Sequence, residues 1–586
     1  MDMINVKING IAVSVPKGST ILEAARVAGV EIPTLCFMKE KNEIGACRTC
    51  VVEANEGRGF RVVTSCVYPC SEGMEVLTNT EKIQKARKTT LELMLSTHNK
   101  ECLSCVRSGS CELQKLCQEY GTDENAFSGF RPTYEKDYSA VHLVRDNNKC
   151  ILCRRCVAAC NEQYVSVIGA NDRGIDTNIG TPFELPLNNV PCISCGQCTV
   201  VCPTGALTER DDTPRIWEAL ADPTKKVVVQ TAPSIRATLG ECFGMPIGTN
   251  VEGKMAAALR RLGFYRVFDT DFGADLTIVE EANELVERVS NNGVLPMITS
   301  CSPGWVKFCE YYYPGLTPHL SSCKSPHQML GAVIKTYWAE KEGIDPKDIV
   351  VVSVMPCTAK KFEVTRDDQN ASGYPDVDIA ITTRELGRMI QRAGINFTAL
   401  PDEGFDSPLA EQTGAALIFG ATGGVMEAAL RTAKDWLTGT SEDHVDYTAV
   451  RGTAGLKEAS MDVNGTEIKV AVASGAKAAK VVMDKLAAGN PDGWTFIEIM
   501  GCPGGCVNGG GQPYQSQTTR DTVDLKAVRA KALYDADQAM VRRKSHESEG
   551  IKKLYEEWYT EGYGKGKAHH DLHTSYVKRD KYNYDK

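Results

Sequence analysis

The chain has 586 residues, 42% hydrophobic and 24% charged, the length and balance of about four globular domains with ample core. A net charge of −9, from 66 basic and 75 acidic residues, argues against a nucleic-acid polyanion as the main partner. No run approaches the roughly 18 apolar residues of a membrane span, and the start, MDMINVKING, lacks a charged-then-apolar leader, so a cytoplasmic, membrane-free location is expected. Seventeen of the 24 cysteines lie in residues 1–202. In a long chain from a reducing compartment, cysteines packed at one end point to metal binding rather than to disulfides.

Residues 1–79 open as INVKINGIAVSV, two alternating apolar runs around Asn9-Gly10, which predict a hairpin. Thr20 with Glu23 three positions on is a capping-box helix start. A hairpin followed by a helix suits a small β-grasp domain. Residues 80–119 begin helical (EKIQKARKTTLELML) and then turn cysteine-rich. Residues 120–140 read as a linker and 138–144 as a strand. Residues 140–210 hold two similar cysteine runs, the clear internal repeat. From about 225, apolar runs expected to be strands recur at 227–229, 294–298, 349–354, 377–381, 415–419, 470–472 and 496–500. Amphipathic stretches such as 251–262 and 326–341 lie between them. Strands alternating with helices imply largely parallel sheets over 225–515. Residues 525–586 are charged and aromatic, helical over 526–538 and then irregular, a tail expected to wrap another domain. The expected fold class is a multidomain chain, part α+β and part α/β.

The repeated run is the strongest signal. Cys150, Cys153, Cys156 and Cys160 follow C-x2-C-x2-C-x3-C, and so do Cys192, Cys195, Cys198 and Cys202, with Pro203 next. This is the bacterial ferredoxin spacing for two [4Fe–4S] clusters, in which the fourth thiolate of each run reaches the other cube. The expected sets are Cys150, Cys153, Cys156 and Cys202, and Cys192, Cys195, Cys198 and Cys160. Two structural zinc sites would also use four thiolates each, but rarely in this double run. Cys36, Cys47, Cys50 and Cys66 place three thiolates on a loop with a distant fourth, which suits a [2Fe–2S] cluster, with zinc as the alternative metal. Cys70 competes with Cys66 for the fourth place; Cys66 is favoured because it directly follows the strand-like 61–64. His98, Cys102, Cys105 and Cys111 fit either zinc or a [4Fe–4S] cluster with one imidazole ligand, and the neighbouring sites tilt the reading to iron–sulfur. Cys117 is spare.

Such a wire needs chemistry at its inner end. Three motifs there follow expected strands: Cys301-Ser302-Pro303 in TSCSPGW, Cys357 in MPCTAKK, and Cys502 with Cys506 in CPGGCVNGGG. In parallel α/β sheets, sites gather at the carboxyl ends of strands, and glycines let backbone approach a ligand closely. GGCVNGGG lacks the Lys-Ser/Thr of a phosphate loop. Cys242, Cys309 and Cys323 read as packed thiols.

These three motifs resemble the signatures of the iron-only (FeFe) hydrogenases, and the whole chain resembles the larger members with four accessory clusters. RKSHESEGIKKLYEEW and KAHHDLHTSY resemble the C-terminal small-subunit-like segment of that family. The resemblance implies reversible oxidation of hydrogen to protons and electrons at an H-cluster, a [4Fe–4S] cube joined to a di-iron unit with CO, cyanide and a bridging dithiolate. It implies Cys506 as the bridging thiolate, Cys357 and Cys502 as cube ligands, and an iron–sulfur role for His98. It also implies a proton route through Cys301, Glu281, Ser321, Glu284 and Arg288. Lys360, Pro233, Ser234, Met355 and Met500 fall where the family contacts the diatomic ligands. At His327 the family commonly has Gln. Where the family has two adjacent cysteines before the proline, this chain has Cys301-Ser302. Either Ser302 supplies an oxygen ligand and Cys301 relays protons, the favoured reading, or Cys301 takes over as ligand and the relay changes, or the substitution is engineered.

No G-x-G-x-x-G follows a strand, so the chain is not expected to bind nicotinamide itself. The resemblance implies electron partners instead: ferredoxin, flavin- and NAD(P)-binding subunits, or both. Two rival readings are an electron-transfer subunit of a respiratory NADH dehydrogenase and an iron–sulfur assembly protein. The first leaves the three catalytic motifs unexplained; the second has no need of residues 1–79.

Overall fold

The computed structural model describes residues 2–409, 411–441, 445–463 and 465–584. Strands β1 (Met3–Ile8) and β2 (Ile11–Pro16) pair antiparallel about Asn9 and Gly10, whose φ values of 49° and 83° are those a tight two-residue hairpin needs. Helix α1 (Ile21–Val27) carries the reciprocal Thr20–Glu23 cap and buries Ile21, Leu22, Ala24 and Ala25. Strands β3 (Val51–Asn55), β4 (Arg61–Thr64) and β5 (Glu75–Leu77) complete a mixed sheet of order β2-β1-β5-β3-β4, with β1 and β5 parallel. Helix α2 (Glu81–Thr97), capped by Thr80, and helix α3 (Glu112–Glu119) follow.

The strand expected at 138–144 is only β6 (Leu143–Arg145). Ser139 donates through its N–H and its hydroxyl to the Asp137 carboxylate, which turns the chain there and ends the extended run. Helix α4 (Arg155–Glu162), β7 (Gly169–Asn171), β8 (Asn178–Gly180), helix α5 (Gln197–Val201) and β9 (Leu207–Glu209) form a small unit. In it β6 pairs with β9, and β7 with β8. The repeat is also conformational. Leu152 and Arg154 sit at φ 56° and 60°, and the matching Ser194 and Gly196 at 60° and 67°. Left-handed residues between the cysteines curl each run so that its thiols face inward.

Strands β10 (Lys226–Thr231), β11 (Arg266–Asp269), β13 (Ile349–Met355) and β14 (Ile379–Thr382) form an all-parallel sheet of order β11-β10-β13-β14. A second sheet, order β12-β17-β16-β15, holds β12 (Met297–Ile298), β15 (Leu456–Val463), β16 (Thr466–Ser474) and β17 (Phe496–Met500). Its edge strand β15 runs antiparallel to β16; its polar sequence, KEASMD, hid it from hydrophobic pattern. The run expected at 294–298 shrinks to two paired residues, because Val294 and Leu295 are exposed and Pro296 has no N–H to donate.

The strand expected at 415–419 is instead helical, an α-helix over Gly414–Leu417 that continues as a 3-10 turn over Ile418–Gly420. All five residues are buried, so no polar face marks the period, and Ala415 and Ala416 favour a helix. The stretch 326–341 is helical but is buried on all sides over 326–335, with a π turn at Ile334–Trp338. The C-terminal segment is more ordered than expected. After the helix Leu525–Ala539 it forms helices Glu549–Glu557 and Gly566–Leu572. Ile551, Leu554 and Tyr555, at helical spacing, join the core around Phe272 and Leu276. No helix among the described residues is long and apolar enough to cross a membrane.

Arg431 ties this segment down. Its guanidinium, 1% exposed, bonds Asp537 at 2.9 Å and Glu427 at 2.7 Å, while Nε donates to the Val445 carbonyl at 2.9 Å. Removing one partner of a buried ion network strands the other charges. Arg431→Met is therefore expected to destabilise the catalytic half by about 3–5 kcal/mol. A drop in its denaturant midpoint, with earlier proteolysis after residue 525, would show this; an unchanged midpoint would contradict it.

A thiol-lined catalytic cavity and its accessory sites

Four thiols surround the loop after α1. Cys50 and Cys66 lie with sulfurs 3.3 Å apart, and the Cys36 and Cys47 side chains are hydrogen-bonded to each other. Cys66 also feels the charges of Cys36 and Cys47. Cys70 stands apart in the sheet core, its thiol pushed up to about 11 by burial and then by Glu23. The structure thus groups Cys66, not Cys70, with the other three.

His98 ends α2 as its C-cap and is 7% exposed, and its buried Nδ1 has no hydrogen-bond partner. Burial, and then Arg131 and Lys149, lower its pKa to about 4. A neutral imidazole with an idle nitrogen suits a metal ligand. Cys102 and Cys105 share one turn, and Cys111 caps α3, its thiol accepting the Gln114 N–H at 3.5 Å. This site abuts the next one. Arg107 donates to the Cys202 carbonyl at 2.8 Å, and Glu112 N–H to Pro203 at 3.0 Å.

Cys150, Cys153, Cys156 and Cys202 line one cavity, and Cys160, Cys192, Cys195 and Cys198 line another. Four thiols lining each cavity is the ligand count that a [4Fe–4S] cube takes. The second cavity presses on the catalytic region. A Cβ on Gly510 would lie 2.1 Å from the Cys195 carbonyl, and one on Gly196 would lie 2.3 Å from Thr358 Oγ1. Thr358, next to Cys357, donates to the Ser194 carbonyl at 2.7 Å.

The catalytic cavity lies where the carboxyl ends of β10 and β13 meet those of β12 and β17. It is lined by Pro233 and Ser234 after β10, Cys301 and Ser302 after β12, and Met355 and Cys357 at the end of β13; Met500, Cys502 and Cys506 follow from β17, and Lys360 and His327 complete the ring. Cys357 and Cys502 are hydrogen-bonded through their side chains, and burial, then Cys357, pushes the Cys506 thiol up to about 12. Ser302 accepts the Gly501 N–H at 2.9 Å, beside Cys502. The Cys301 thiol is raised by burial and then by Glu281. Lys360 donates to the Cys301 carbonyl at 3.2 Å and to Glu363 at 2.8 Å. His327 is held between Ser353, at 3.1 Å, and Glu363. Most of the remaining lining is apolar, with Ser234 and Thr270 as polar exceptions. Thr270, Pro326, Phe419 and Gly420 also line it and were missed. Phe419 was read as strand, and no motif marks the other three.

One helix, Thr270–Ser290, supplies the acidic residues. Glu281 is fully buried; Ser321 and the Ser300 N–H lie near it, yet neither carboxylate oxygen completes a hydrogen bond. Burial, and then Glu284, raise its pKa to about 8. Glu284, one turn on, is satisfied by Ser321 Oγ at 2.8 Å, by the Ser322 N–H and by Arg288 at 2.6 Å. Arg288 is partly exposed, so Cys301, Glu281, Ser321, Glu284 and Arg288 lead in that order from the cavity to the surface. Cys242, Cys309, Cys323 and Cys117 line none of these cavities.

Comparison with known proteins places this geometry. Residues 225–510 match the iron only hydrogenase large subunit, C-terminal domain, and residues 523–579 the iron hydrogenase small subunit. Residues 1–81 match a 2Fe-2S iron-sulfur cluster binding domain, 87–126 the NADH-ubiquinone oxidoreductase-G iron-sulfur binding region, and 149–206 a 4Fe-4S dicluster domain. The NADP-reducing hydrogenase subunit HndD of Solidesulfovibrio fructosivorans is 47% identical over 99% of this chain and 100% of its own length. Iron hydrogenase 1 of Clostridium pasteurianum is 43% identical over 98% and 100%. A solved variant of an apo FeFe-hydrogenase from Chlamydomonas reinhardtii superposes with a TM-score of 0.55 at 40% identity, covering 62% of this chain and 99% of that one. Whole-length likeness at this identity, on a cavity ringed by cysteines from three strand ends, means that the chain belongs to the iron-only (FeFe) hydrogenase family.

Proposed function

We propose that this chain reversibly oxidises molecular hydrogen at an H-cluster held in the cavity between its two sheets, and passes the electrons outward through four accessory clusters. The observation that carries the reading is the ring of Cys301, Ser302, Cys357, Cys502 and Cys506 in one apolar cavity, with a second thiol-lined cavity pressed against it. When bound, the H-cluster would supply a redox-active iron at which one hydrogen molecule is converted into two protons and two electrons. Cys357, Cys502, Cys506 and Ser302 would hold it; Ser302 fits the cube side because its oxygen accepts the N–H of Gly501, the residue before Cys502. Cys301, facing Glu281, takes the proton. Glu281 passes it by way of Ser321 to Glu284, and Arg288 steers it to solvent. Lys360, Pro233, Ser234, Met355 and Met500 shape the pocket around the diatomic ligands. A [2Fe–2S] cluster at Cys36, Cys47, Cys50 and Cys66 in a β-grasp domain, and [4Fe–4S] clusters at His98/Cys102/Cys105/Cys111 and at the two dicluster sets, complete the wire.

The working units are 1–79, 80–119, 140–210, 225–515 and 525–586, the last a small-subunit-like wrap. A relative that reduces NADP, and the absence of a dinucleotide motif here, support flavin- and NAD(P)-binding partner subunits, ferredoxin, or both. None of the 24 cysteines is paired in a disulfide, in keeping with metal-ligating thiols and work in the cytoplasm.

The matured protein is expected to carry roughly 20 irons, and Cys506→Ala to keep roughly 14, those of the accessory clusters. The variant should lose hydrogen turnover and the infrared bands of CO and cyanide. Substantial hydrogen uptake by it would refute the assignment of Cys506.

Cys301→Ala is expected to lose most turnover, about 100-fold or more, while keeping full iron and the CO bands. Ser302→Cys should raise cluster retention, since a thiolate binds iron better than a hydroxyl. A Cys301→Ala protein that lost iron and CO bands together would make Cys301 the ligand instead.

Glu281 yields a pH dependence. Its folded pKa of about 8 lies above the ordinary 4.5, so the fold binds its proton more tightly than the unfolded chain does. That stability is fully present below 4.5 and is lost as pH rises through 8. Glu281→Gln does not titrate. Its melting temperature relative to the parent should rise between about pH 4.5 and about pH 8 and level off above that, while turnover falls about 100-fold or more. A constant difference across that range would show that Glu281 is not held protonated.

A further inference from the structure

Arg155 opens α4 between Cys153 and Cys156 and is fully buried. Its Nη1 donates to both oxygens of Glu112, at 2.9 and 3.0 Å, but Nε and Nη2 are buried with no acceptor. A buried cation with idle donors is expensive unless something negative lies beside it. Glu112 and the thiols of Cys153 and Cys47 hold it charged against the cost of burial. Those thiols belong to different sites: Cys153 to the first dicluster cavity and Cys47 to the N-terminal site. Glu112 follows Cys111 of the third site. Asn42 crosses the same place, donating to the carbonyls of Cys36 at 2.7 Å and Cys153 at 3.0 Å. One apolar cluster contains Cys36, Cys47 and Cys153, with Cys111 packed against it. Three thiol sites therefore meet around one cation.

We propose that Arg155 sets the electron balance at this junction, its charge and free N–H groups favouring the reduced state of the clusters at Cys150/Cys153/Cys156/Cys202 and at Cys36/Cys47/Cys50/Cys66, with Glu112 opposing it on the side of Cys111. The inference rests on the cluster reading above. Reducing a cluster adds one negative charge, which a buried guanidinium stabilises, and hydrogen bonds to cluster sulfur raise its potential. The Glu112 carboxylate acts in the opposite sense. An electron leaving the dicluster unit is thereby drawn towards the N-terminal site rather than towards the His98 site.

The test is a dithionite titration of the full matured chain, followed by electron paramagnetic resonance. Arg155→Gln is expected to lower the midpoint potentials of the [2Fe–2S] signal and of one [4Fe–4S] signal. Arg155→Lys should keep most of the parent values, and Glu112→Gln should raise them. Unshifted potentials, or shifts of the same sign in Arg155→Gln and Glu112→Gln, overturn the proposal. If Arg155→Gln loses a cluster, Glu112→Gln decides alone, and no rise there overturns it. The parent protein checks the underlying reading separately: a missing [2Fe–2S] signal with low iron would sink the cluster assignment itself, independently of Arg155.

Discussion

The contact on which the rest of the molecule depends is the one between the Cys192–Cys202 run and the glycines after Cys506. Cys195 and Gly510 touch backbone to backbone, and a single Cβ at Gly510 would fall 2.1 Å from the Cys195 carbonyl. A Cβ on Gly509 would likewise fall 2.3 Å from the Pro356 carbonyl, and one on Gly511 2.7 Å from Thr382 Cγ2. Glycine is required because no side chain fits, whatever the backbone angles. The Arg384 guanidinium then seals the joint, bonding Glu209 of the small unit and the carbonyls of Gly510 and Gln512. This backbone contact brings the Cys195 loop of the small unit against the loops that carry Cys357 and Cys506.

Around the catalytic cavity, buried charge is handled in two ways. Most of it is paired: Lys361 with Asp212 and Glu385, Lys324 with Asp376, and Arg236 with Asp269 and Asp271. Such networks hold loops in register at the strand ends, and they tolerate burial because their donors are largely satisfied. Glu281 is the exception. Its neighbour Glu280 is bonded by Tyr555, the Gly564 N–H and His573 of the C-terminal segment, whereas Glu281 completes no hydrogen bond. One carboxylate thus anchors the wrap, and the next in sequence is left free to hold a proton.

The Cys301-Ser302 pair follows from the same geometry. Residues on either side of a turn point in opposite senses, so Cys301 addresses the Glu281 side and Ser302 the Gly501–Cys502 side. The serine oxygen is a harder and less acidic donor than a thiol, so under the proposed function a ligand at that corner would hold iron less tightly than cysteine does.

Local chemistry was legible from residue order alone. Asn9-Gly10 specifies a hairpin, Thr20 with Glu23 a helix start, and the paired cysteine runs two inward-curling loops, because each depends on contacts a few residues long. The crossing of Cys160 and Cys202 between the two cavities is not local, and was legible only because the doubled run has the spacing of a two-cluster ferredoxin. What sequence could not decide depends on groups far apart in the chain. Residues 415–419, apolar throughout, carried no period, and their helix is set within a buried core that includes Ala415, Ala416 and Phe419. The helices at 549–557 and 566–572 became visible only where the core they cover was in place. The unpaired state of Glu281 and the meeting of three thiol sites at Arg155 are likewise tertiary. Each turns on which donors remain after every neighbour has been satisfied, and that count exists only once the chain has closed on itself.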